Sequence, residues 1–238
     1  MSKKKMVLKI GGSLLFDNDY NILHEKIVQF AEIIKDSEDI AAIIIGGGKL
    51  ARNFIKSARL LGADESLCDT FGIEVSRLNA RLLITALKDQ AYPDPITSLK
   101  EVRAFSLWDR ILVAGGFIPG QSTTSVTFEI AESLHATDVI ILTDVDGIYD
   151  KDPHKNPKAK KFDEISIIDL EKVIYGETGN SQSAAGEYRI FDAVSLQILK
   201  RSHIQVRLSN GEDFDTLRKL LVEKAFKSNI GTKILRNH

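Results

Sequence analysis

Three features of the 238-residue sequence predict an α/β fold built on an open, mainly parallel sheet. Short apolar runs rich in β-branched residues alternate with stretches whose apolar residues recur at helical spacing, the β-α-β-α order of a sheet covered by helices. Three of those runs break into glycine, at Gly11-Gly12, at Gly46-Gly47-Gly48 and at Gly115-Gly116. A buried strand, a turn without side chains and a helix start bring backbone N–H groups to the carboxyl rim of the sheet, where open α/β folds bind ligands. The length is enough to bury a full core, as one large domain or as two lobes sharing a sheet.

Residues 5–10 (KMVLKI) read as the first strand, with Lys9 just before the turn Gly11-Gly12-Ser13. A lysine there can place a point charge on a transferring phosphoryl group, whereas alone it would be a solvated strand end. Ile22, Leu23, Ile27, Phe30, Ala31 and Ile34 mark a crossover helix leading to the strand at 41–45. After Gly46 to Gly48 the helical pattern runs over 50–61 and stops at Gly62, a carboxyl-terminal cap. Backbone donors and a helix dipole at this junction suit an anion, with Lys49 and Arg52 close by, although three glycines alone also make a tight connection. A second helical pattern covers about 70–87, with Asp69 read as its cap and Arg77 and Asn79 as solvated positions. Tyr92-Pro93-Asp94-Pro95 then breaks the chain into a loop.

The strand at 111–114 dissolves into Gly115-Gly116-Phe117-Ile118-Pro119-Gly120-Gln121-Ser122-Thr123-Thr124, whose hydroxyls can cap a helix at 126–134. Three such turns at equivalent ends of parallel strands would converge on one cleft. Residues 138–143 (DVIILT) form a further strand, followed by the turn Asp146-Gly147. The aspartates from Asp144 to Asp152 read as turn and cap residues ahead of metal ligands, because Mg²⁺ in phosphoryl transfer leans on phosphates and water. The lysine- and proline-rich stretch 151–161 reads as an exposed loop. A helix at 166–174, a mobile loop at 176–186, a helix at 190–201 with Asp192 at its start, a strand at 205–209, a helix at 214–225 and an edge strand at 231–234 complete the chain.

Composition narrows the function. With 32 basic and 33 acidic residues there is no global field for duplex nucleic acid, and no apolar run is long enough to span a bilayer. The amino terminus MSKKKMVLKI lacks the apolar core of a signal peptide, so a soluble cytoplasmic protein is expected. Cys68, the single cysteine, excludes an internal disulfide, and five scattered histidines give no zinc or nucleophile pattern. Walker A, dinucleotide-fingerprint, Gly-x-Ser-x-Gly and protein-kinase motifs are all absent.

The segments LKIGGSLL (8–15), GGGKLARNFIKSAR (46–59), CDTFGIEVSRLNARLL (68–83), GGFIPGQSTT (115–124) and TDVDGIYDKDP (143–153) together resemble the amino-acid-kinase family, and within it the archaeal-type UMP kinases. The resemblance spans nearly the whole chain. It implies a single three-layer α-β-α domain over 1–238, with an acceptor-side half at about 1–137 and a nucleotide-side half at about 138–238. It also implies transfer of the γ-phosphoryl of ATP to UMP with Mg²⁺ held mainly by the phosphates, in a homohexamer built as a trimer of dimers. By the same resemblance, Lys9, Arg52 and Asp192 are the catalytic group. Lys9, Ile10, Gly11, Gly12, Ser13, Gly48, Arg52, Thr143, Asp144, Tyr149 and Asp152 would bind ATP. Gly47, Asp69, Phe117, Ile118, Pro119, Gly120, Gln121, Ser122 and Thr123 would bind UMP. The chain departs from the family pattern at Asp144, Ala193 and Gln197, where relatives often carry Asn, Pro and Lys, and at Thr124, where many carry Asp. Two other readings follow from the same features: a family kinase with a different small acceptor, or a non-catalytic, ATP-dependent oxyanion-storage protein.

Overall fold

The computed structural model describes residues 5–151, 153, 156–176, 190–224 and 229–236. The expected α/β class and three-layer architecture are observed. Among the described residues, seven strands form one sheet in the order β3-β2-β1-β4-β8-β9-β7. These are β1 (Met6–Ile10), β2 (Ile40–Ile45), β3 (Leu112–Ala114), β4 (Asp138–Thr143), β7 (Glu164–Ser166), β8 (Gln205–Asn210) and β9 (Thr232–Leu235). The first five in that order run parallel, while β9 pairs antiparallel with β8 and parallel with β7. A separate hairpin joins β5 (Ile148–Tyr149) to β6 (Lys161–Phe162).

Both faces of the central strands are buried, which is why they read as continuous apolar runs. One face packs Leu8, Ile10, Ile43, Ile45, Ile140 and Leu142 against α1 (His24–Lys35), α3 (Glu65–Leu87) and α8 (Phe214–Leu221). The other packs Val7, Ile44, Val139, Ile141, Val206 and Leu208 against α5 (Thr123–Ser133), α6 (Ile167–Gly176) and α7 (Ala193–Arg201). The short α4 (Leu99–Phe105), capped by Ser98, adds Val102 to this second layer. Helix α2 (Gly48–Leu60) lies on α3, with Ile55, Ala58 and Cys68 buried between them.

Several expectations are corrected. The strand near the carboxyl end is not at an edge. It lies between β8 and β7, because the three-residue β7 supplies an outer partner too short to be legible in sequence. The long helix begins at Glu65 and is capped by Asp64, whose side chain accepts from the Leu67 N–H; Asp69 is inside the helix. Helix α5 starts at Thr123, since Ser122 Oγ takes the Ser125 N–H. Lys161, read as the end of an exposed loop, pairs with Tyr149, and the next residue, Phe162, with Ile148. The final helix stops at Leu221. Asp152 and residues 177–186, read as ribose contact and mobile loop, lie outside the described residues.

Candidate active site

Register sets the site. Ile10 lies level with Ile45 on β2 and Leu142 on β4, and Ile44 lies level with Ala114 on β3. The four strands therefore end at nearly one height, and the segments after them share one rim. β1 and β4 are neighbours although the chain leaves them toward opposite sides of the sheet, the switch point at which open α/β folds bind ligands.

Two of the glycine turns interlock on this rim. Gly11 N–H donates to the Leu142 carbonyl and Gly46 N–H to that of Ile10. A Cβ on Gly12 would stand 2.3 Å from the Gly46 oxygen, and Gly48, at φ +66°, would place one 2.4 Å from the Gly12 carbonyl carbon. No side chain fits either position. The turn then opens directly into α2, whose first-turn N–H groups have no earlier helical partner and whose second turn carries the half-buried Arg52. Ser13 lies in the 3-10 turn at Gly12–Leu15.

The third turn is fastened to α3. Ser76 Oγ accepts the Gly116 N–H at 2.8 Å, and Arg77 donates to the Gly116 and Phe117 carbonyls at 3.1 and 3.0 Å. Two turns earlier in the helix, Asp69 Oδ2 accepts the Gly120 N–H at 2.7 Å. Asn79, only 1% exposed, donates to the Gly46 carbonyl at 2.9 Å and to that of Gly47 at 3.4 Å. One helix face thus holds two of the three turns. Arg77 and Asn79 are not the solvated positions expected, and Ser76 was missed. Their signal was available as polar residues at helical spacing within the buried stripe Ile73, Ala80, Leu83, Leu87.

Lys9 sits one residue before the strand end on the α5 side of β1 and is 9% exposed. Burial lowers its pKa from 10.5 to about 8, with the charge of Asp144 acting in the opposite sense. Asp144 accepts from the buried Thr143 hydroxyl at 2.9 Å. This is a cation held in low dielectric at the rim that the glycine turns share. Lys49, by contrast, is turned away, its ammonium bonded to Asn18.

Asp192 joins the amino ends of two helices. Its carboxylate caps α7 through the Ser195 N–H at 2.7 Å, and also accepts from Ser122 N–H at 3.0 Å and from Ser125 Oγ at 2.5 Å. Burial pushes its pKa up, but these bonds outweigh burial and hold it below the usual carboxylate range. Of the other predicted contacts, Ile10 and Phe117 have buried side chains, and Gln121 is bonded to Glu129 at 2.7 Å, so what the first two can offer a ligand is backbone. Ile118 is exposed. Tyr149 lies on the β5–β6 hairpin, its hydroxyl donating to Asp146, which also receives Lys161.

Comparison with known proteins fits this geometry. Residues 4–210 match the model of the Amino acid kinase family. The chain belongs to this family. It is 39% identical over 233 residues to a protein named uridylate kinase from Methanobrevibacter smithii, covering 97% of this chain and 99% of that one. The namesake from Methanothermobacter thermautotrophicus is 38% identical over 234 residues, with the same coverage. Among solved structures, uridylate kinase from Archaeoglobus fulgidus superposes with a TM-score of 0.79 at 33% identity, covering 97% of this chain and all of that one. As an amino acid kinase the chain keeps its atypical residues in built positions. Thr124 is 2% exposed and its hydroxyl donates to the Ile190 carbonyl at 2.6 Å, tying α5 to the segment before α7. Ala193 and Gln197 line the groove between α4, α5 and α7.

Proposed function

We propose that the chain transfers the γ-phosphoryl of ATP to UMP, giving UDP and ADP. The observation that carries this reading is end-to-end similarity to proteins named uridylate kinase, in a chain whose glycine turns share one rim of the sheet. Gly47, Asp69 and the turn from Phe117 to Thr123 take UMP, with Asp69 directed at the ribose hydroxyls. Lys9, the backbone of Ile10 to Ser13, Gly48, Arg52, Thr143, Asp144, Tyr149 and Asp152 take ATP. The halves before and after about residue 137 thereby serve acceptor and donor.

The acceptor oxygen belongs to a phosphate that is already ionised near neutral pH, so no side chain has to remove a proton. The bond from that oxygen to the γ-phosphorus forms while the bond to the β–γ bridging oxygen breaks, and ADP leaves. The chain's contribution is to align the two phosphates and to set positive charge on the equatorial oxygens, through Lys9, Arg52 and the N–H groups of the interlocked turns. Lys9 is suited to this because a cation in low dielectric acts more strongly on a developing charge than one in water. Asp192 acts as a positioning residue, holding the Ser122 end of the UMP turn. Mg²⁺ bound with ATP would supply charge neutralisation on its phosphates. Phosphate oxygens and water would hold it, with Asp144, whose charge Lys9 feels, as a protein oxygen on that rim. The assembly is a homohexamer of three dimers in the cytoplasm, serving pyrimidine nucleotide synthesis.

The test is ADP release from Mg-ATP in the presence of each common nucleoside monophosphate. UMP gives ADP well above the rate without acceptor. No UMP-dependent ADP would sink the assignment, and a stronger response to another monophosphate would move it to that acceptor.

A further inference from the structure

The Gly231-Thr232 pair plays no part in the reaction as described, yet it is one of the most constrained places in the fold. Gly231 has φ +69°, and a Cβ there would lie 2.1 Å from the Leu208 carbonyl oxygen, so only glycine lets β9 enter against β8 at this level. The next residue, Thr232, is fully buried and pairs with Leu208 in the ladder. Its hydroxyl does not serve the sheet. It accepts the Ile148 N–H at 2.8 Å and donates to the Phe162 carbonyl, which are groups on the two facing residues of the β5–β6 hairpin.

One hydroxyl thus closes both strands of the hairpin onto the central sheet, using its donor and an acceptor site at once. The fit is close on the turn side too, where a Cβ on Gly147 would stand 2.6 Å from Thr232 Oγ1. The hairpin follows β4 within five residues, and beyond this anchor it carries the Asp146, Tyr149 and Lys161 cluster.

We propose that Thr232 is a positioning residue for the donor nucleotide: its hydroxyl fixes the hairpin that presents Tyr149 along the ATP side of the rim. This rests on the assignment of that side to ATP given above. Thr232 touches no ligand itself and acts through the height and tilt of the hairpin. A β-branched hydroxyl suits the place, since its methyl satisfies the buried strand while its oxygen reaches across.

Thr232→Val keeps the shape and removes the hydroxyl, leaving a buried N–H and a carbonyl without this partner. Titration calorimetry with Mg-ATP and, separately, with UMP reads the effect on folded protein. Thr232→Val weakens Mg-ATP binding by about tenfold, the order of one buried hydrogen bond, and leaves UMP affinity within about twofold. Thr232→Ser, which retains the hydroxyl, binds Mg-ATP within about twofold of wild type. A purely structural role would lower the melting temperature and leave Mg-ATP affinity of the folded protein unchanged. Equal Mg-ATP affinity in Thr232→Val and wild type overturns the proposal, as does equal loss in the valine and serine variants, or a wild type that binds no Mg-ATP. Should the valine variant not fold, Gly147→Ala displaces the hairpin against the same hydroxyl and gives the same selective loss; unchanged Mg-ATP binding there overturns the proposal. If wild type binds Mg-ATP and the variants show the selective loss, but UMP yields no ADP, only the acceptor assignment falls.

Discussion

At the scale of single residues, Lys9 has the largest consequences. Its folded pKa of about 8 lies below the 10.5 of a free lysine, so the native state binds its proton less tightly than the unfolded chain does. The cost of burying the charge is present in full below pH 8, shrinks as pH rises, and is gone above 10.5. The gap corresponds to roughly 3 kcal/mol. Lys9→Met is therefore more stable than wild type at pH 7 by up to about that amount, and the difference narrows between pH 8 and 10.5. Urea denaturation at pH 7 and pH 10 checks this, and a pH-independent difference would contradict it. The same variant loses UMP-dependent ADP formation by about a hundredfold or more. Stability and activity moving in opposite directions is the signature of a charge kept buried for chemistry. Lys9 and its glycines were legible because strand, lysine and turn are contiguous. The roles of Ser76 and Asn79 were not, because their partners lie 40 and 33 residues away.

At the scale of elements, α3 is the rod from which two of the rim turns hang. Its apolar stripe faces the sheet, and Asp69, Ser76, Arg77 and Asn79 reach backbone groups of the turns at Gly46 and Gly116. Asn79→Asp keeps the size of the side chain but sets a carboxyl against two carbonyl oxygens. We expect a stability loss of about 1–3 kcal/mol and, at temperatures where the variant is fully folded by circular dichroism, a fall in kcat larger than any rise in KM for either substrate. Unchanged kcat in the folded variant would show that α3 supports the turn without aligning it. Helix starts were the least legible features. Asp69 reads as the cap of α3 in the sequence, whereas the cap is Asp64, whose backbone is extended (φ −72°, ψ 169°) after the α2–α3 connection.

For the whole molecule, four of the exposed apolar residues fall on one face of α2 and α3. Phe54 stacks on Phe71 with both rings partly exposed, and Leu67 and Leu78 stand exposed on α3 at helical spacing from Phe71. Such a face is typical of a surface covered by another subunit. Light scattering coupled to size exclusion should give about six times the chain mass, and Phe71→Glu with Leu78→Glu should lower it. A wild type that runs as a monomer at micromolar concentration would contradict the hexamer. What the sequence determined by itself is local in origin: strand and helix periods, glycine positions that admit no side chain, and the motif order that marks the family. Only the tertiary structure decided that β9 enters the sheet between β8 and β7, that Asp192 caps α7 while binding the Ser122 that caps α5, and that a threonine 84 residues from Ile148 anchors the hairpin. The reason is physical. Periodicity and turn chemistry act between near neighbours along the chain, whereas a buried donor takes whichever acceptor packing brings within 3 Å, and no local pattern encodes that choice.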